Sequence, residues 1–212
     1  MTTTWSQGAP YNDAIESGYN LGCTTIAAAQ IMNYHKYPNS FQWALMPDAL
    51  TKNDPIDRKR VLTLFLKDVH DKIGVNNDGG ANINDVKSAL ESYGYKVSMK
   101  NHVDNSYSIF PMYCRGSQKK NDTSGHAWVC DGSYTSTLIT DYELYMLDIS
   151  YGPQYKFGIF RNDRSSVSYP PKYHMNWGWG GSDNGWFMDG HLSTTNYPLG
   201  FNYDRKDFII KK

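Results

Sequence analysis

The sequence predicts an α+β fold in which a helical lobe packs against a β-sheet lobe. Helical patterns fill the first half of the chain, whereas short β-type runs separated by Gly, Asn, Asp and Ser follow from Lys96 onward. Helices and strands do not alternate along the chain, which favours α+β layering over a parallel sheet with crossover helices. Two lobes of this kind leave a cleft at their junction, where functional sites commonly lie.

Three segments of the first half have the residue patterns of helices, namely 24–37, 55–74 and 82–95. Pro38 and Gly74 are expected to end the first two, and Asn84 or Asp85 to cap the third. Eight short runs of the second half are rich in β-branched and aromatic residues and are expected to form strands: 96–100, 108–114, 126–132, 142–149, 154–160, 173–179, 185–192 and 207–212.

Composition and charge exclude several classes of function. The 21 Lys and Arg residues balance 21 Asp and Glu residues, and the chain has no Lys/Arg-rich run that would form a basic stripe. Nucleic acid and anionic membrane surfaces are therefore not expected partners. The apolar runs are far shorter than the roughly 20 residues that a membrane-spanning helix requires. We expect a globular protein without a membrane span.

The three cysteines leave at least one thiol unpaired within the chain. Cys114 and Cys130 fall in neighbouring strand-like runs, so a cross-strand disulfide and two buried free thiols are both open. The free thiols are favoured, because a disulfide requires a narrow range of Cα separation. Cys23 lies at the start of the first predicted helix, where it is either a small buried residue or a thiolate nucleophile favoured by the helix N-terminus.

A thiolate nucleophile needs a histidine as its acid and base, and two histidines have suitable surroundings. His126 opens a strand after a Gly/Ser turn, and His174 precedes a Gly/Trp-rich run. Either fits from spacing alone, but the chain order Cys, His, Asn favours His126, with Asn176 orienting the imidazole. The backbone N–H of Cys23 and the side-chain amide of Gln7 are candidate donors to an oxyanion hole.

Four separated blocks of the chain carry a family resemblance: WSQGAPYN, GCTTIAAAQIMNYHKYP, GHAWVCDG and HMNWGWGGSDNGWF. In their order and in their residues they resemble the streptopain family of bacterial cysteine proteases, a papain-like group also known as peptidase family C10. The segment IGVNNDGGANINDVKSALESYGYKV resembles the family's glycine-rich segment and the helix after it. The likeness spans most of the chain.

The resemblance implies a role for each matching residue. Cys23 matches the nucleophile, His126 the acid/base and Gln7 the glutamine that helps to form the oxyanion hole. Asn176 falls where papain-like enzymes have an orienting asparagine, whereas in this family Trp177 can occupy the space beside the imidazole. Both residues are therefore expected to support the histidine, and no metal or organic cofactor is expected.

The resemblance also implies a setting. We expect residues 1–212 to form a single papain-like catalytic domain in its mature form, with helical and sheet lobes and the active site at their junction. The signal peptide and inhibitory propeptide typical of the family's precursors are not visible in the sequence. The expected function is that of a secreted or cell-envelope-associated bacterial endopeptidase, a monomer acting on proteins or peptides through a thioester intermediate.

Two other functions share parts of this pattern. A papain-like amidase or acyl transferase acting on cell-wall peptides would use the same cysteine and histidine. A non-enzymatic adhesin would instead bind glycans on the aromatic side chains of the WGWGG block and the Tyr-rich runs. Cleavage of casein, cleavage of peptidoglycan peptides, and glycan binding that survives Cys23→Ala distinguish the three.

Overall fold

The computed structural model describes residues 1–16, 19–51, 53–102, 110–122, 124–148 and 156–212. The chain divides into two units. The larger unit contains residues 1–133 and 172–212, and the smaller contains residues 134–171. Within the described ranges, no helix combines the length and apolar character needed to cross a bilayer.

Three α-helices lie where the sequence predicts them: α1 Cys23–His35, α2 Ile56–Ile73 and α3 Ile83–Ser92. A short 3-10 helix, Trp43–Leu45, lies between α1 and α2. Gly74 ends α2 in the left-handed conformation, as expected. The cap predicted for α3 was wrong. Asn82 is the N-cap, because its backbone is still extended and its side chain accepts a hydrogen bond from the Asn84 N–H at 2.8 Å.

In the described part of the chain, eight strands follow the helices: β1 Lys96–Asn101, β2 Met112–Ser117, β3 His126–Tyr134, β4 Thr137–Asp148, β5 Lys156–Ser168, β6 Lys172–Asn176, β7 Gly185–Met188 and β8 Tyr203–Lys211. Six of them form one sheet in the order β1-β8-β2-β3-β6-β7. The pairs β1–β8, β8–β2, β2–β3 and β6–β7 are antiparallel. The predicted α+β class is therefore confirmed.

The predicted strand runs differ from the observed strands mainly at their ends. The run from 173 was expected to reach 179, but β6 ends at Asn176 because Gly178, at φ 73°, turns the chain. The run from 185 stops at Met188. Parts of the runs from 108, 142 and 154 lie outside the described residues.

The centre of the large sheet is buried on both faces. Strand alternation sends Tyr113, Ala127 and Val129 toward one core, which also contains the buried residues of α1. The opposite face carries a second core around Trp128, and its members are Met112, Cys114, Trp128, Cys130, Tyr173, Met175, Trp177, Leu192 and Phe201. Burial of each large apolar side chain contributes about 1.5–3 kcal/mol. The first core holds helix α1 against strands β2 and β3.

All three cysteines are free thiols. Cys114 lies opposite Trp128 and Cys130 lies opposite Met112 in the β2–β3 register, so the two cysteines are diagonal neighbours and form no disulfide. Both are buried, which confirms the prediction of buried thiols, and burial raises the pKa of each.

The smaller unit is a two-stranded hairpin of β4 and β5. Cross-strand partners share a face, so Leu138 pairs with Val167 on one side, while Asp141 and Arg164 form an ion pair on the other. Both the apolar and the polar pair are exposed.

Candidate active site

Cys23 is the first residue of α1, as the sequence predicts. Gly22 precedes it with φ 81° and lies directly against the backbone of Gly79. A Cβ atom on residue 22 would lie 2.5 Å from the Gly79 carbonyl oxygen, so only glycine fits there. The close approach places the loop that contains Gly79 beside the start of the helix.

A cleft of about 660 Å³ opens at this helix start. One wall comes from α1 and the Gly79 loop, and the other from the beginning of β3 and its neighbour β2. Its lining residues include Gln7, Cys23, Asp78, Arg115, His126 and Trp179. A cysteine and a histidine from distant parts of the chain thus share one solvent-accessible site.

The structure separates the predicted site residues into two groups. Gln7, Cys23 and His126 line the cleft, whereas Trp177 lies behind His126 in the second core. The alternative base, His174, does not line the cleft, and its Nδ1 lies 2.6 Å from Asp131 Oδ1.

Gln7 is held at the cleft by backbone contacts on both sides. Its carbonyl accepts a hydrogen bond from the Leu21 N–H at 3.0 Å, two residues before the cysteine. Its neighbour Ser6 forms an isolated β-bridge with Trp179. The N-terminal segment is thereby tied to both the helix start and the loop after β6.

His126 is buried and has a defined hydrogen-bond partner. Its Nε2 lies 2.8 Å from the carbonyl oxygen of Trp177. Because a carbonyl oxygen can only accept, the proton of the neutral ring sits on Nε2 and Nδ1 keeps its lone pair. Burial lowers the pKa of His126 to about 4, although the Trp177 carbonyl opposes this shift.

Aromatic rings surround the imidazole, and the nearest of them was not predicted from the sequence. The ring of Trp179 lies 4.6 Å from that of His126, closer than the ring of Trp177 at 6.1 Å. Trp179 also stacks on Tyr197, with 5.1 Å between centroids, and both line the cleft. The WGWGG block pointed to this region, but spacing did not indicate which tryptophan faces the cleft.

Asn176 was expected to orient the His126 imidazole, but its side chain contacts other groups. Its amide donates to the Thr3 carbonyl at 2.7 Å and to Gln30 Oε1 at 3.0 Å, and its Oδ1 accepts from the Gly178 N–H at 3.2 Å. The position expected for an asparagine oxygen at the imidazole is taken by the Trp177 carbonyl. Asn176 instead anchors the turn that carries this carbonyl.

Opposing effects act on the pKa of the Cys23 thiol. Burial raises the pKa of the thiol, while hydrogen bonds from the backbone N–H groups of Ala127, Thr24 and Cys23 itself, and the charge of Arg115, act to lower it. The donors expected at a helix start are therefore present, but burial outweighs them. Among the described residues, no cluster of three or more metal-type ligands occurs.

The fold is that of the papain-like cysteine peptidases. Within that class, the chain belongs to the Peptidase C10 family, whose model matches residues 5–52 and 39–187. This confirms the predicted family and enzyme class.

Two similar proteins come from bacteria. The thiol protease/hemagglutinin PrtT of Porphyromonas gingivalis is 23% identical over 259 residues, an alignment that covers 97% of this chain and 26% of the relative. The chain therefore spans about a quarter of that relative's length. The solved structure of a prointerpain A fragment from Prevotella intermedia is 18% identical, with a TM-score of 0.60, and the match covers 99% of this chain and 70% of that one. At this identity the match supports the papain-like fold.

Proposed function

We propose that this chain is a cysteine endopeptidase that hydrolyses peptide bonds through Cys23 and His126. The observation that carries the proposal is the shared cleft: a thiol at a helix start and an imidazole whose Nε2 proton is fixed by the Trp177 carbonyl. Family membership supports the reaction class.

In the first half of the reaction, the sulfur of Cys23 attacks the peptide carbonyl carbon and its proton passes to Nδ1 of His126. Burial disfavours both the thiolate and the imidazolium, so we expect proton transfer and attack to be coupled. The C–N bond then breaks, the proton moves from His126 to the leaving amine, and a thioester remains on Cys23.

In the second half, His126 removes a proton from water, and the resulting hydroxide attacks the thioester carbonyl. The C–S bond breaks, the carboxylic acid leaves and the sulfur regains its proton. In both halves, the negative oxygen is stabilised by the backbone N–H of Cys23 and the side-chain amide of Gln7. Trp177 and Asn176 position the imidazole of His126. The Trp177 carbonyl accepts a hydrogen bond from its Nε2 proton, and Asn176 anchors the turn that carries this carbonyl.

The setting of the enzyme is part of the proposal. Residues 1–212 serve as the catalytic domain of a secreted or cell-envelope-associated bacterial protein that acts as a monomer on proteins or peptides. The name of the prointerpain structure refers to a pro-form of that relative, which supports an inhibitory propeptide in the precursor of this chain.

The test combines labelling with turnover. The protein is treated with E-64 or iodoacetamide and analysed by intact mass and peptide mapping, and casein hydrolysis is measured for the wild type, Cys23→Ala and the control Cys130→Ala. We expect one adduct, on Cys23, and loss of hydrolysis only in the treated protein and in Cys23→Ala. Hydrolysis that survives in Cys23→Ala, or a protein that cleaves neither casein nor short peptides, would overturn the proposal.

A further inference from the structure

Arg115 brings a positive charge into the wall of the cleft. It lies in β2, half-buried, directly opposite Ala127 of β3. Its charge acts on the Cys23 thiol, and the backbone N–H of Ala127 contacts the same thiol. The guanidinium is therefore close to the point where a substrate would be attacked.

The guanidinium lies beside the backbone that leads into His126. A Cβ atom on Gly125 would lie 3.2 Å from Arg115 Nη2, so the guanidinium packs directly against the residue before His126. An arginine has five N–H donors, and a donor engaged elsewhere still leaves others for a carboxylate. The wall thus offers a preformed cationic surface to the cleft.

Strand alternation decides which half of a substrate this surface meets. Arg115 shares a face with Tyr113 and Ala127, the face that packs toward α1. The His126 side chain points to the opposite face, where its ring neighbours are Trp179 and Phe201. Since His126 delivers the proton to the leaving amine, the side of Trp179 receives the leaving group and the side of Arg115 receives the acyl half.

The cleft contains one other permanent charge among its described lining residues, Asp78 on the opposite wall. Asp78 is exposed on the Gly79 loop, where solvent weakens its interactions. Arg115 is shielded by the sheet, so its charge has the larger effect on a bound peptide.

We propose that Arg115 forms an anion-binding subsite that selects an acidic side chain at one of the two substrate residues before the scissile bond. The proposal rests on the proposed peptidase function and adds its substrate class. A charge-assisted hydrogen bond in a partly desolvated site predicts a preference of about 10- to 100-fold for Glu over Gln at that substrate position.

The experiment uses fluorogenic peptides with an aminocoumarin leaving group, so that only the acyl half varies. Pairs with Glu or Gln at each of the two positions are compared by kcat/KM near pH 7. In the wild type, we expect the Glu/Gln ratio to be about 10 to 100 at one position. The ratio should fall to about 1 in Arg115→Gln and stay intermediate in Arg115→Lys. The exposed Lys120→Gln, with the same change of charge, should keep the wild-type ratio.

The ratio separates recognition from effects on the nucleophile. Loss of Arg115 also removes a charge that lowers the pKa of Cys23, but both peptides of a pair meet the same thiol, so this effect cancels. A wild-type ratio near 1, or a ratio unchanged in Arg115→Gln, would overturn the subsite.

A binding measurement distinguishes failure of the subsite from failure of the proposed function. Fluorescence anisotropy with the same peptide pairs, labelled and bound to Cys23→Ala, should show the same preference for Glu and its loss when Arg115→Gln is added. A preference in binding without any turnover would leave the subsite standing and remove the peptidase. The absence of a Glu preference in both measurements would remove the subsite.

Discussion

The imidazole Nε2 of His126 lies 2.8 Å from the backbone carbonyl oxygen of Trp177. A carbonyl, unlike a carboxylate, carries no full charge and does not titrate, so it fixes the ring and its tautomer without strongly favouring the imidazolium. This agrees with the low pKa of His126, about 4, which is dominated by burial. The histidine is therefore held as a neutral acceptor at rest.

The two candidate bases are distinguished by matched substitutions. His126→Gln should lower kcat at least 10²-fold, because the group that accepts the thiol proton and protonates the leaving amine is removed. His174→Gln should retain most of the activity, since His174 contacts Asp131 and does not line the cleft. Casein hydrolysis and circular dichroism of both variants provide the measurement, and an inactive but folded His174→Gln would reverse the assignment.

Gln7→Ala should lower kcat about 10²-fold if its amide stabilises the oxyanion. The thiol itself should remain reactive, because Gln7 is absent from the interactions that set the pKa of Cys23. Turnover of a short peptide and the rate of Cys23 alkylation by iodoacetamide are measured on the same preparation. Unchanged turnover, or equal loss of turnover and alkylation, would exclude the oxyanion role.

The lowered pKa of His126 predicts a loss of stability in acid. Between about pH 6.5 and pH 4, the unfolded chain binds a proton at this residue and the folded chain does not, so stability falls as the pH falls. The loss reaches up to about 3 kcal/mol over this window. Urea unfolding near pH 7 and near pH 4.5 should therefore show a smaller decline for His126→Gln than for the wild type, and equal declines would contradict the prediction.

His102 should show the opposite dependence on pH. Its Nε2 lies 2.9 Å from Asp189 Oδ2 and its Nδ1 contacts Asp207. Burial alone lowers the pKa of His102, but the hydrogen bonds with these two carboxylates raise it overall. Its contribution to stability is complete below the unfolded pKa of about 6.5 and is lost as the pH rises through the folded value.

The measurement compares His102→Gln with the wild type by urea unfolding near pH 6 and near pH 9. The substitution should cost more stability at the lower pH, where the imidazolium is present in the wild type. An equal cost at both values would mean that the ring acts only through packing.

The predictable parts of the site are those with local signals. Cys23 stands before a run of helix formers, and His126 follows a Gly/Ser turn, so their positions at element starts were predicted from the sequence. The hydrogen-bond partner of His126 was not predicted from the sequence. It is the backbone carbonyl oxygen of Trp177, and every residue has such an oxygen. Because Asn176 has a hydrogen-bonding side chain, the sequence favoured it as the partner that orients His126.

Contacts between neighbouring strands could not be predicted from the sequence either. Arg115 faces the cleft because it lies opposite Ala127, and a shift of one residue in the β2–β3 register would turn it to the other core. The sequence shows the alternation within each strand but not the register between them. The position of the Gly79 loop beside the cleft was not predictable for a similar reason, since its contact with Gly22 joins positions far apart in the chain.

That contact gives the last prediction. Gly22→Ala should destabilise the protein and lower kcat/KM, because the new Cβ would lie 2.5 Å from the Gly79 carbonyl and would push the loop away from Cys23. Positive φ alone costs an alanine about 1–2 kcal/mol, and the clash adds about 1–3 kcal/mol. Gly190→Ala is the matched control, because Gly190 has φ 73° and no atom within 4 Å of the new Cβ. Unfolding and peptide turnover are measured for both variants. The control should lose stability but keep its activity, whereas equal activity in the two variants would show that the Gly22–Gly79 contact does not shape the cleft.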